Sequence, residues 1–237
     1  MTNNNADASL SRIARIAGLL FLFTFLFSTI TWTFVSSRFI VEGNAIAAAD
    51  SIIANESLFR ISIITDLIRS AAAIVFALAL YIILKSVNKN LALLAVFLKM
   101  TEAILVAVIA LGHFIALLIL NQRASLTVFG PEQIQALVGS FINTSFDASA
   151  IGMLFHGLNL MIFSYLIFKS RYVPGMLAGF GIISYALVFI YALITILAPD
   201  YVILPIQIIC LLPSILTELI LGSWLLFKGI NIRQGDR

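Results

Sequence analysis

Residues 91–120 read LALLAVFLKMTEAILVAVIALGHFIALLIL. At 1.5 Å per residue, about 20 apolar residues cross a hydrocarbon core of about 30 Å, so this run is long enough to span a membrane. Only Lys99, Glu102 and His113 bring ionisable groups into it. The rest of the chain has the same character: of its 237 residues, 62% are hydrophobic, 11% aromatic and 11% charged. An ordinary soluble domain is roughly 25% charged. That contrast excludes a water-soluble globule and an intrinsically disordered chain. The net charge of +3 comes from 14 dispersed basic residues, which form no nucleic-acid patch. The one cysteine, Cys210, lies in an apolar run and leaves the redox compartment open.

Five further stretches are long and apolar enough to span, giving predicted helices over 11–35, 58–85, 91–120, 148–169, 175–198 and 205–227. In lipid the backbone must satisfy its hydrogen bonds within a helix or a closed barrel. These stretches are too long for strands. The expectation is an all-α, polytopic bundle of six transmembrane helices, a single domain over 1–237.

Arg12, Arg15, Lys85, Lys89, Lys169, Arg171, Lys228, Arg233 and Arg237 fall on one side of these spans, and Arg38, Arg60 and Arg123 on the other. The basic excess marks the cytoplasmic side, which predicts that both termini are inside. Arg12 and Arg15 also resemble the start of a signal peptide, with Ala45-Ile46-Ala47 imitating a cleavage site. That site is too far downstream, with Arg38 and Glu42 intervening, so the first span is expected to be retained.

The connections expected inside are short, which makes tight helical hairpins. The outer ones are longer. After Gly130-Pro131, the residues Ile134, Leu137, Val138, Phe141 and Ile142 repeat at helical spacing with Pro at the first helical position. A short amphipathic helix is expected there, and another over 45–55, each lying on the outer membrane surface or packed over the bundle mouth. Asn55-Glu56-Ser57 and Asn143-Thr144-Ser145 fit a glycosylation pattern too common to carry weight. Tyr81 to Ser86, Tyr165 to Ser170 and Trp224 to Gly229 repeat faintly. The repeat suggests three hairpins in series, but an aromatic residue near the interface and a snorkelling Lys at each cytoplasmic edge are the favoured explanation.

Asp66, Arg69, Lys99, Glu102 and Glu218 lie inside spans, where a central charge costs roughly 2.5 to 3.5 kcal/mol. They are expected to face one another, with Arg69 pairing Glu102 or Glu218. Helical spacing places Ser62, Asp66, Arg69, Ala73 and Ala77 on one face, and Ala95, Lys99, Glu102, Val106, Ala110 and His113 on another. Gly152, His156, Asn159 and Phe163 form a third face, and Ser214, Glu218 and Gly222 a fourth. Small residues beside polar ones mark helix contacts in lipid. Counted from the span ends, Arg69, Glu102 and Glu218 reach the midplane, whereas Asp66, His113 and His156 lie in the outer third. With neutral histidines the five charges sum to minus one, leaving room for a shared proton or a bound cation. Pro213, a short way before Glu218, predicts a kink.

Three chemistries fit this pattern. Buried ion pairs can simply specify which helix packs on which. The same acids can bind or carry a small solute or protons through the intramembrane core of Asp66, Arg69, Lys99, Glu102, Glu218 and Asn159. Finally, His113, His156 and Asp66 have the donor types of an intramembrane zinc site, or the two histidines of a haem clamp, with Glu102 as base. No HExxH spacing supports the metal reading, so no cofactor is expected and an enzyme is not the favoured class. A phosphate loop, a nucleophile elbow and a nucleotide domain are all missing from the sequence. The lipid bilayer is the one partner implied; protein partners stay open.

Four stretches carry a family resemblance: Leu58-Phe59-Arg60 to Asp66-Leu67-Ile68; Leu80-Tyr81 through Lys85-Ser86-Val87-Asn88-Lys89-Asn90 to Glu102-Ala103; Tyr165 to Ser170 with Val173-Pro174; and Glu218 to Asn231. Together they resemble the bacterial membrane proteins grouped as domain of unknown function 4386, over nearly the whole chain. The chain departs from that pattern at Gly175, where a basic residue follows the Pro, and at Lys99, where Arg is usual. The resemblance implies a bacterial cytoplasmic membrane and puts Asp66, Glu102 and Glu218 in motif-bearing stretches. It implies no activity.

Overall fold

A computed structural model describes residues 2–41, 43–122 and 128–231. Glu42, Arg123, Arg233 and Arg237, used above for orientation and processing, lie outside the described residues. The helices are α1 (Thr2–Phe34), α2 (Ala45–Ala54), α3 (Glu56–Leu84), α4 (Lys89–Asn121), α5 (Pro131–Ser170), α6 (Gly175–Leu197) and α7 (Leu204–Phe227). Short 3-10 turns cover Ser36–Phe39 and Pro199–Tyr201, and no strand occurs among the described residues. Six of the helices, all but α2, are long and apolar enough to cross a membrane, as expected.

The helix ends follow local chemistry. Asn44 Oδ1 accepts the Ala47 N–H at 3.0 Å and starts α2, and Asn88 Oδ1 accepts the Leu91 N–H at 3.0 Å at the start of α4. Pro131 opens α5, and Gln133 Oε1 reaches back to the Gly130 N–H at 3.1 Å, the reverse half of a capping box. At the other end of α5, Arg171 turns the chain with φ 56°, while the Ser170 hydroxyl accepts the Tyr172 N–H. Gly229, with φ 69°, ends α7 by donating to the Leu225 carbonyl at 3.1 Å. Lys228 sits 4.2 Å over the Trp224 ring, consistent with the aromatic-plus-Lys reading of the helix ends.

The chain divides into two compact units. The first holds the chain up to Phe25, Ala71–Ala103 and everything from Ala150. Its core gathers Phe21, Phe76, Leu84, Phe163, Tyr185 and Leu225 from five helices, with Phe21 and Phe76 stacked at 4.8 Å. Helices come close where side chains vanish. A Cβ on Gly18 would collide with the α7 backbone at Leu226, and one on Gly157 would meet Phe189 N at 2.7 Å and Tyr185 O at 2.9 Å. α6 and α7 pack side by side.

The second unit holds Leu26–Ser70 and Ile104–Ser149. Its core joins Phe39, Ile52, Phe59, Leu117, Val138 and Ile142. Here the structure corrects the outer loop: residues 131–142 are the first turns of the 40-residue α5, not a separate surface helix. Their apolar face is buried; Ile134, Val138 and Ile142 are at most 4% exposed. A Cβ on Gly139 would collide with the Ala45 carbonyl, and Asn143 bonds both the N–H and the carbonyl of Val41. The predicted helix over 45–55 is present as α2 and packs in this same cluster. Ile64, Phe97, Ile104, Val108 and Leu111 leave more than half their surface exposed, an apolar exterior suited to hydrocarbon.

Candidate functional site

Within the first unit, three helices bring their polar faces together. Lys99 and Glu102 are one turn apart on α4, and the ammonium meets both carboxylate oxygens at 2.8 and 2.9 Å. Facing them on α5 are His156 and Asn159, again one turn apart. His156 Nδ1 lies 3.0 Å from Glu102 Oε1, and Asn159 Nδ2 donates to Glu102 Oε2 at 2.9 Å and to the Phe155 carbonyl at 2.6 Å. From α7, Glu218 Oε1 lies 3.3 Å from His156 Nε2. Lys99, Glu102, Glu218 and Asn159 are all at most 8% exposed.

His156 therefore stands between two carboxylates, one at each ring nitrogen. A nitrogen facing a carboxylate oxygen must carry hydrogen, or else two acceptors oppose each other. With both nitrogens protonated, Lys99 and His156 balance Glu102 and Glu218, and the buried charges sum to zero. Removing one proton leaves a net negative charge where desolvation makes it expensive. The Tyr185 ring approaches His156 edge-on, with centroids 6.0 Å apart. Beside it, the Ser184 and Thr217 hydroxyls are 2.9 Å apart and link α6 to α7.

The other expected core residues form separate groups in the second unit. Arg69 Nη2 pairs with Asp66 Oδ1 at 3.1 Å on its own helix, not with Glu102 or Glu218, and both side chains are about a quarter exposed. Lys99 takes the place expected of Arg69 at Glu102 because it is on the same helix at i, i+3. His113 Nε2 lies 2.7 Å from Ser145 Oγ, and the same hydroxyl lies 2.7 Å from the Ile142 carbonyl. Ser145 has one proton, so when the carbonyl takes it the imidazole is the donor. That polarity is opposite to an activated nucleophile. Among the described residues no three His, Cys, Asp or Glu side chains gather as a metal site.

His156 was placed by its sequence position among metal candidates in the outer third. That depth assumes a span beginning at residue 148, whereas α5 begins at Pro131. Counted instead from Lys89 and Ser170, the ends nearest the short turns, Glu102 and His156 have nearly the same depth. Tyr185 lies in a span without a charged residue, so no ionisable neighbour on its own helix marks it in the sequence.

No curated protein and no solved structure matches the chain. The family model described as domain of unknown function 4386 matches residues 16–229. That match contains all six long helices or most of each, together with every residue of the His156 cluster, so the chain belongs to the domain of unknown function 4386 family.

Proposed function

We propose that this protein binds and exchanges protons, alone or with a small solute, at the cluster of Lys99, Glu102, His156, Asn159 and Glu218. The reading is supported by His156, whose two nitrogens meet carboxylates from α4 and α7. Protonated at both nitrogens, that ring joins α4, α5 and α7, so loss of the Nε2 proton weakens the α5 to α7 contact and leaves a buried negative charge. Coupling of charge to helix contact is what proton-linked transport requires. The distribution of Lys and Arg supports termini on the cytoplasmic side, and the family resemblance is what supports a bacterial cytoplasmic membrane.

The test is the full chain reconstituted in liposomes containing a pH-sensitive dye under an imposed pH gradient. Wild-type vesicles are expected to equilibrate faster than empty ones, and Glu218→Gln, still folded, to lose the difference. A second reading, ion pairs that only specify packing, draws on the near-complete internal pairing of Glu102. It predicts no flux from wild type and a Glu218→Gln variant altered in thermal stability alone.

A further inference from the structure

Two buried polar atoms at the cluster have no hydrogen-bond partner among the described residues: Tyr185 Oη and Asn159 Oδ1. Both residues are 0% exposed. Leaving a buried polar group unpaired is costly, and native structures rarely do so without a bound water or ligand. The Asn159 amide cannot be turned to relieve this, because its Nδ2 already donates to Glu102 and to the Phe155 carbonyl. Its carbonyl oxygen is therefore a fixed acceptor. Tyr185 is a donor that can also accept.

The helices carrying them touch at this level. Gly157, two residues before Asn159, brings the α5 backbone against Tyr185 and Phe189 of α6. Asn159 is bonded to Glu102, and the Tyr185 ring lies against His156, so both orphaned groups border the same charged cluster.

We propose that Tyr185 Oη and Asn159 Oδ1 hold one buried water molecule. The chemistry selects it: a water can both accept from the phenol and donate to the amide carbonyl, whereas an anion has no proton to give the carbonyl. This water extends the network of Glu102 onto α6, the long helix without a charged residue. Its presence does not depend on proton exchange, since a purely structural core has the same two atoms to satisfy.

The direct test is an experimental map of the full chain in lipid nanodiscs, at a resolution that shows ordered water. A peak within about 2.7 to 3.2 Å of both atoms is expected. A peak touching only one of them, or none, overturns the proposal. Independently, Tyr185→Phe is expected to lower the Tm by at least about 2 °C by stranding the water and the Asn159 carbonyl. An unchanged or raised Tm overturns it too, because deleting a truly unpaired hydroxyl costs nothing. Should the variant fail to fold, the wild-type map alone decides.

Discussion

Glu102 accepts from an ammonium, an imidazole and an amide, so its removal strands three donors at once. Breaking one side of a buried ion pair costs about 3–5 kcal/mol, because the remaining charge stays buried without compensation. Glu102→Leu is thus expected to lower folded yield and Tm sharply, read by thermal unfolding in detergent. Adding Lys99→Met removes the stranded ammonium and is expected to recover part of the loss, a coupling measurable as a double-mutant cycle. Additive losses would show that Lys99 and Glu102 are energetically independent. Of this cluster, Lys99, Glu102, Asn159 and Glu218 were legible as core residues, since charge or amide within an apolar span is conspicuous. His156 was legible as a polar face residue and a metal candidate, but its pairing with two carboxylates was not, because they arrive from other helices.

At the scale of the helix, glycines report where backbones meet. A Cβ at Gly157 would press on Phe189 N and Tyr185 O, both backbone atoms that cannot swing aside, whereas one at Gly152 on the same helix meets nothing within 4 Å. Gly157→Ala is expected to cost about 1–3 kcal/mol by forcing α5 from α6. Gly152→Ala is expected to be neutral or to stabilise by roughly 0.5–1 kcal/mol, since Gly is a weak helix former. Thermal unfolding of the pair separates close packing from helix propensity. Gly229→Ala is expected to destabilise by about 1 kcal/mol, because φ 69° disfavours any Cβ and the new methyl would meet Ser11 Oγ at 2.8 Å. Pro131 at the first helical position was a sound signal for the start of α5, and the helix expected over 45–55 is α2, while the caps from Asn44 and Gln133 became visible only in the structure. The extent of α5 was not readable, because Thr144, Ser145 and Asp147 look like loop residues until the helix is seen running through them.

Across the whole molecule, the orientation inferred from Lys and Arg can be measured directly. With Cys210 the one native cysteine and buried, Ser86→Cys in the α3–α4 turn and Gln133→Cys at the start of α5 give clean labelling sites, both exposed. In intact bacterial cells an impermeant maleimide is expected to label Gln133→Cys and spare Ser86→Cys; the reverse pattern would invert the topology. Length and hydropathy along the chain were enough to establish an all-helical membrane protein of six spans, because crossing a hydrocarbon layer is a constraint each segment meets on its own. Pairing between helices is different. Arg69 closing on Asp66 and Lys99 on Glu102 are i, i+3 pairs that helical spacing alone permits, whereas His156 lying between Glu102 and Glu218 depends on helix rotation and on where α5 begins, and both are set by packing among residues far apart in the chain.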